Sequence, residues 1–500
     1  MTQFRATLSA AAFLASTALP ATAQMLIPSD AKPTCTVDAS DFASWYSGGS
    51  PSAGGLVDAA NSQGFPTQNT VCDFYQWGAQ MFMWLASPTG DGLILDSPAI
   101  FNVTPSDNGV RTMQTNAADA PAMFSLRQEK FDKAAALSND EIGELGQATS
   151  GAALMSQPDS DGDSSLVYYG VHVNDGYGYF LTGQKAGALT QTMFPHTDAD
   201  LDALVTYMKD AFPGDSLQAP ESLVMEFKTS WVEADMVDDP SAFVTMEVMI
   251  PDFDTSGPLP WTANGTKSAK LALTGVHIMG TVKNHPEFVW ITYEHIANAP
   301  DTTFYYTNTD GAVVSVPYSS SGTYTFAATG TPEAQANKEC LVANGDTIVA
   351  ATHKSGDDAV PNCGNGQTVD SIYRGYPWGS DPTNDPKVVD NNTQLISINN
   401  SVRGMIPAGD PRANYALTAG IWTSPPIATM DAPIPEVTGE GYTPASLRGS
   451  LKAFNATMET YTQNTSCFSC HFQSDTAPDS FQAFQLSHIY SQIQGLTAGQ

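Results

Sequence analysis

Two runs of β-branched and aromatic residues decide the fold of this chain: LALTGVHIMG at residues 271–280 and FVWITYEHI at residues 288–296. The loop Thr281–Glu287 separates them, an arrangement typical of an antiparallel hairpin. Further strands are predicted in Ser222–Trp231, where apolar and polar residues alternate, and in Tyr305–Phe326, where Tyr, Val and Thr alternate with Gly-Ser turns. We therefore predict a mainly β (α+β) fold with a large antiparallel β body and a few helices.

Helical spacing of apolar residues occurs in a few places. One helix is predicted over residues 73–85, closed by Pro88, and another begins near Thr197 with an acidic first turn. A third is predicted over Thr443–Tyr461, with Thr443 as its N-cap. Together with a short final helix over residues 481–488, it would form a C-terminal helical segment docked on the β body.

The charge balance excludes several classes of protein. The 500 residues include 20 Lys+Arg and 52 Asp+Glu, a formal net charge of −32, and a basic face for nucleic acid is therefore excluded. An anionic membrane surface is disfavoured for the same reason. Hydrophobic residues make up 42% of the chain, which is enough for a large core. A partner protein is expected to present a basic face.

The N-terminus has the pattern of an export signal. Arg5 is followed by an apolar run at residues 6–19 and by the small-x-small pattern at 21–23, so we predict a signal peptide over residues 1–23 and a mature start at Gln24. The run is too short to span a bilayer, and no later apolar stretch approaches 18 residues. We expect a periplasmic or secreted protein with no membrane span after signal cleavage.

The most specific motif lies near the C-terminus. Cys467-Phe468-Ser469-Cys470-His471 matches C-x-x-C-H, the attachment signature of c-type haem. Two thiols three positions apart can add to the two vinyl groups of one haem edge, and the adjacent histidine then becomes an iron ligand. A chance match in this composition is expected about once in a thousand such chains. A local disulfide or a zinc half-site is the alternative, but no second Cys/His pair is visible.

Four cysteines remain outside the motif, an even number that suits disulfides in an oxidising compartment. The local pairings join Cys35 with Cys72 and Cys340 with Cys363. Sequence alone leaves the other two pairings open.

Two weaker patterns fail on inspection. The acidic run Asp159–Asp163 resembles the start of a calcium loop, but Ser164 replaces the required glycine and Gly170 the required glutamate. Glu294 and His295 resemble an acid/base pair, but adjacent residues of a strand point to opposite faces.

The C-x-x-C-H motif resembles that of c-type cytochromes. A β-rich body with the motif near the C-terminus is similar to the family of cytochrome c-prime-beta and the hydroxylamine-oxidising haem-lysine cytochromes. A nearer resemblance is to large exported Gram-negative proteins known only as cytochrome c family proteins. It is carried by NATMETY at 455–461, FVWITYEH at 288–295 and NYAL at 414–417. The resemblance implies haem and export, and it names no reaction.

The position of the motif limits where the haem can be buried. Only 29 residues follow His471, and they contain no methionine. Such a short segment cannot enclose a haem, so the haem should dock on the upstream body. The sixth iron ligand is left open between His488, His277, His295, an upstream methionine and an open position.

These observations predict one covalent haem c, attached to Cys467 and Cys470 and ligated by His471. The chain would comprise a mixed α/β region at 24–220, a β-rich body at 221–440 and a haem-attachment segment at 441–500. The first hypothesis is a monohaem cytochrome that transfers single electrons to a partner protein. The alternatives are a haem oxidoreductase acting on a small-molecule substrate and a haem-based gas or redox sensor.

Overall fold

The computed structural model describes residues 23–65, 70–90, 92–107, 109–115, 121–126, 151–322, 324–344, 346–355, 358–364, 366–423, 447–471 and 483–497. Its helices are α1 (Ala39–Ser44), α2 (Val71–Leu85), α3 (Asp175–Lys185), α4 (Asp198–Ala211), α5 (Pro386–Met405) and α6 (Cys467–His471). Its strands are β1 (Ile100–Val103), β2 (Met113–Thr115), β3 (Ala152–Ala153), β4 (Tyr168–Asn174), β5 (Met225–Glu233), β6 (Thr245–Phe253), β7 (Trp261–Val282), β8 (His285–His295), β9 (Phe304–Thr307), β10 (Val313–Val316), β11 (Leu341–Asn344), β12 (Thr347–Ala350), β13 (Thr352–Ser355), β14 (Asp358–Pro361), β15 (Tyr415–Thr423) and β16 (Leu447–Gly449).

One large antiparallel sheet organises the molecule, which confirms the mainly β prediction. Its central order is β16-β15-β8-β7-β5-β4-β1-β2, and β6, β12, β11 and β3 extend it from β7. Strand β7 is 22 residues long. Its first half pairs with β6, and its second half lies between β5 and β8. The sheet therefore takes strands from all three predicted regions of the chain.

The predicted hairpin is present, with a tighter turn than expected. Val282 pairs with His285, so only Lys283 and Asn284 form the turn. Asn284 has a φ of 66°, a left-handed conformation that asparagine tolerates better than most residues. The loop predicted over Thr281–Glu287 is therefore mostly strand. His285 and Glu287 are buried and bond to each other, with Nδ1 of His285 2.8 Å from Oε1 of Glu287.

The two faces of the sheet bury different parts of the chain. Side chains alternate along β8, so Ile291 and Tyr293 point to one face and Trp290 to the other. The first face packs on α2, where Phe82 stacks on Tyr293 with ring centroids 4.2 Å apart. The second face shares an apolar cluster with α3, α4 and the C-terminal segment, in which Trp290 lies near Phe468.

Two predicted helices are confirmed, and in the structure each begins with a capping residue. Helix α2 begins after Thr70, whose side chain accepts a hydrogen bond from the Asp73 N–H while Asp73 bonds back to the Thr70 N–H. Helix α4 begins after Thr197 with the same reciprocal bonding to Asp200. This capping box satisfies N–H groups that the first turn would otherwise leave unpaired.

The helix predicted over Thr443–Tyr461 is wrong. Thr443 lies outside the described residues, Leu447–Gly449 is strand β16, and the residues that follow form turns. The apolar spacing suggested a helix, but hydrogen bonds to the sheet hold this segment in a non-helical conformation. Nδ2 of Asn455 bonds to Thr292 Oγ1 and the Tyr293 carbonyl, and the Ala456 N–H donates to Glu294 at 3.0 Å.

The short final helix is only partly as predicted. Residues 483–486 form a single 3-10 turn, irregular turns follow, and Phe481 lies outside the described residues. The C-terminal segment thus docks on the sheet mainly through turns and side-chain hydrogen bonds.

The cysteine pairs are the local ones. The structure contains disulfides Cys35–Cys72 and Cys340–Cys363, each with a Cα–Cα distance of 5.3 Å. The first ties the N-terminal segment to the start of α2, and the second closes the region of short strands after β10. Such bonds are typical of an oxidising compartment. In the part of the chain that the structure describes, no helix is both long and apolar enough to cross a membrane.

Candidate haem-attachment site

The C-x-x-C-H motif forms a short helix on the second face of the sheet. Helix α6 spans Cys467–His471 and lies close to the turn at residues 483–486. Phe468 is buried and Cys467 is half-buried. The backbone of Cys470 belongs to the helix, but its side chain lies outside the described part of the structure. The predicted roles of both cysteines remain predictions.

His471 is held in one tautomer. Its Nδ1 lies 2.8 Å from the Leu486 carbonyl, which can only accept, so Nδ1 carries the proton. Burial lowers the pKa of His471 to about 4, so the imidazole is neutral at physiological pH. The lone pair of Nε2 is then available to a metal. A carbonyl that accepts a hydrogen bond from Nδ1 is the arrangement that orients metal-binding histidines in general.

Aromatic rings enclose the His471 side chain. Trp290 lies 4.5 Å away between ring centroids, and its own Nε1 donates to the Glu287 carbonyl. His488 stacks face to face on His471, with centroids 4.1 Å apart and planes 11° apart. The structure therefore places the His488 ring in direct contact with the His471 ring. Ligation of one iron from opposite sides would need these rings to separate, and the role of His488 as sixth ligand stays a prediction.

An upstream methionine lies in the same apolar cluster as the motif. Met279 on β7 is the register partner of Trp290 on β8, and it belongs to the same cluster as Phe468. Nothing in the local sequence distinguished Met279 from the other methionines. Only the pairing of β7 with β8 places it next to Trp290.

His277 lies on the same face but has a partner of its own. Its Nε2 is 3.0 and 3.1 Å from the two carboxylate oxygens of Glu459. In register, Lys228 on β5 is its neighbour on one side and Thr292 on β8 on the other. Thr292 is two residues from Trp290, so these polar groups are close to His471 along the sheet.

Glu459 is charged in this setting. Burial acts to raise its pKa, but His277, Lys228 and the Asn455 N–H together lower it below the usual value. Buried ionisable groups whose pKa values are shifted by specific charge partners are common at functional sites. Sequence analysis missed Glu459 because its partner His277 is distant in the chain.

His295 is not brought to His471. It lies at the C-terminal end of β8 and points to the face of the sheet opposite to Trp290, as the alternation along the strand requires. Its Nε2 faces the Ala242 carbonyl at 3.2 Å, and its Nδ1 accepts from the Ala297 N–H at 3.3 Å. Both ring nitrogens are therefore engaged in hydrogen bonds with the backbone. Its predicted role as sixth ligand has no support from its position.

The described residues contain no group of three or more His, Cys, Asp or Glu side chains that could hold a metal ion. A haem iron needs only one or two protein ligands, so this finding does not bear on haem. Comparisons of the chain with protein-family models, curated proteins and solved structures found no match. The proposal for function therefore depends on the motif and on the geometry around His471.

Proposed function

We propose that this protein is an exported, periplasmic monohaem c-type cytochrome that transfers single electrons. The observation that carries the proposal is the hydrogen bond from His471 Nδ1 to the Leu486 carbonyl. This bond occurs on the histidine of a C-x-x-C-H motif. It leaves Nε2 unprotonated, with a lone pair that can bind a metal. The disulfides and the predicted signal peptide support a periplasmic location.

The residues present fit a covalent haem. Cys467 and Cys470 would hold it through thioethers and His471 would bind the iron, which supplies a reversible one-electron couple. Leu486 keeps the proton on Nδ1 and fixes the plane of the imidazole. Trp290 packs against the ring of His471, and Phe468 packs against Trp290, so one side of the imidazole faces an apolar surface.

The C-terminal segment needs the sheet to hold this geometry. Ser487, next to Leu486, donates to Glu226 on β5 at 2.6 Å and lies 2.8 Å from the Tyr177 hydroxyl of α3. These bonds fix the backbone that carries the Leu486 carbonyl. The site therefore uses residues of α3, β5 and β8 as well as the C-terminal segment, which supports the proposal that a haem would dock on the upstream body.

The decisive experiment is expression in a host that matures c-type cytochromes. We expect the denatured wild-type chain to stain for haem and to give the pyridine haemochrome of a haem with both vinyl groups saturated. The double variant Cys467→Ala/Cys470→Ala should lose both signals. The matched control Cys340→Ala/Cys363→Ala also removes two cysteines, but it should keep both haem signals. Covalent haem in the first variant, or none in wild type, would refute the proposal.

A second candidate is a haem oxidoreductase that acts on a small molecule. It is favoured by the Lys228, His277 and Glu459 side chains, which place ionisable groups on the sheet face near His471. Spectra of the oxidised and reduced protein with and without carbon monoxide separate the candidates. A six-coordinate iron that does not bind carbon monoxide supports electron transfer, whereas an open position favours the oxidoreductase or a gas sensor.

A further inference from the structure

A cavity of about 480 Å³ lies at the C-terminal end of β8, where His295 is one of its lining residues. None of the residues discussed around His471 lines it. Its volume is within the range of small-molecule sites, roughly 300–1,000 Å³. Binding at this cavity would not require the proposed haem.

Stacked aromatic rings form part of its wall. Phe243 and His295 stack with centroids 3.8 Å apart and planes 16° apart, and Tyr324 also lines the cavity. Burial lowers the pKa of His295 to about 3, and both of its ring nitrogens bond to the backbone. His295 therefore contributes a neutral aromatic surface and adds no positive charge.

The rest of the lining carries negative charge. Asp159, Asp238 and Asp239 line the cavity, and no Lys or Arg is among its described lining residues. Each of these aspartates uses Oδ1 for a backbone N–H, those of Asp161, Ser160 and Ser241 respectively. The carboxylates are thus held in place by bonds that an asparagine would also make. A fourth acid, Asp410, is paired with Arg412.

The carboxylates do not form a metal site. No three acidic or histidine side chains among the described residues lie close enough together to hold a metal ion. The run Asp159–Asp163 also departs from a calcium loop at Ser164 and Gly170. A dispersed set of carboxylates beside aromatic rings suits a larger and more diffuse cation.

We propose that this cavity binds a small organic cation of the alkylammonium class. An ammonium group is attracted by the faces of aromatic rings and by carboxylates that surround it without coordinating it. The Phe243–His295 stack and the three aspartates supply both attractions in one cavity. Neutral and anionic molecules of the same size gain neither.

The test is calorimetric titration of the full chain with choline and with its neutral carbon isostere, dimethylbutanol. We expect saturable binding of choline with a Kd of about 1 mM or below, and at least about tenfold weaker binding of the isostere. The double variant Asp238→Asn/Asp239→Asn should weaken choline binding about fivefold or more, since two charges are lost while the local hydrogen bonds remain.

Two further variants separate local contacts from overall charge. Asp202→Asn/Asp210→Asn removes two exposed charges from α4, far from the cavity lining, and should leave choline affinity within twofold of wild type. Phe243→Leu removes one ring of the stack and should weaken choline binding without equal loss for the isostere. Equal binding of choline and isostere, no choline binding in wild type, or saturable calcium binding abolished by the cavity variant would each overturn the proposal.

Discussion

Nε2 of His277 lies 3.0 Å from a carboxylate oxygen of Glu459, although the two residues are 182 positions apart in the chain. The contact joins the central strand β7 to the turn that leads into the C-x-x-C-H helix. It shows that the polar residues near His471 are positioned by the sheet and by the C-terminal segment together. The stability of the site should therefore depend on contacts that either part alone lacks.

Glu459→Gln should lower the free energy of unfolding at pH 7 by about 1–2 kcal/mol, because a hydrogen bond to a charged group is replaced by a neutral one. The folded pKa of Glu459 is lowered, so its stabilising effect is present above the unfolded value of about 4.3 and is lost as pH falls below it. Denaturant titrations at pH 7 and at lower pH measure this.

The control is Glu247→Gln, which changes an exposed glutamate on β6. It should leave stability within about 0.5 kcal/mol of wild type. A Glu459→Gln variant as stable as wild type at pH 7 would show that the contact with His277 contributes nothing.

A fragment of residues 441–500 should not fold around haem, although it contains the whole motif. The hydrogen bonds from Ser487 to Glu226 and from Ala456 to Glu294 would both be lost, together with the Trp290 ring. Circular dichroism and absorption spectra of the matured fragment test this. A native-like spectrum from the fragment alone would contradict the interpretation that the sheet completes the site.

The burial of His172 leads us to predict that the protein loses stability in acid. Burial lowers its folded pKa to about 3, so the unfolded chain binds the proton more readily between that value and about 6.5. Stability should therefore fall with decreasing pH, by up to about 1.4 kcal/mol per pH unit in this window. His172→Phe should make the dependence less steep, by the share of one titrating group, when unfolding is measured from pH 7 to 4; burial of His295 and His471 supplies the remainder.

The exposed His353 on β13 is the matched control. His353→Phe should retain the acid dependence of wild type. Identical pH profiles for wild type and His172→Phe would mean that His172 does not titrate between the folded and unfolded states.

The net charge of −32 predicts the salt dependence of electron transfer. Association with a basic redox partner should slow as ionic strength rises from 10 to about 300 mM, because screening shortens the range of the attraction. Stopped-flow kinetics with a basic donor protein measure the rate. An uncharged small-molecule donor should show little dependence. A rate with the basic partner that does not change with salt would exclude electrostatic steering.

Helices could be predicted from the local sequence where their own residues stabilise them. Helices α2 and α4 were expected because each has apolar residues at helical spacing, closed by Pro88 in α2 and preceded by an acidic first turn near Thr197 in α4. Their capping boxes are seen in the structure. Helix α3 was missed because its glycines are unfavourable in helices. Gly178 is required there since a Cβ would lie 2.8 Å from the Phe101 ring. Helix α5 was hidden by polar residues such as Asn399, which bonds to both N–H and C=O of Leu417.

The sequence by itself determined the β class of the fold and the motif Cys467–His471, since each depends on residue types at short spacing. Tertiary structure decided which of the possible cysteine pairs form and which residues surround His471. The Leu486 carbonyl and Trp290 reach His471 through strand pairing and the return of the C-terminal segment. The turns at residues 450–462 replaced the predicted helix for the same reason. Contacts between residues far apart in the chain leave no periodic signal, because their energy comes from packing that exists only once the sheet has formed.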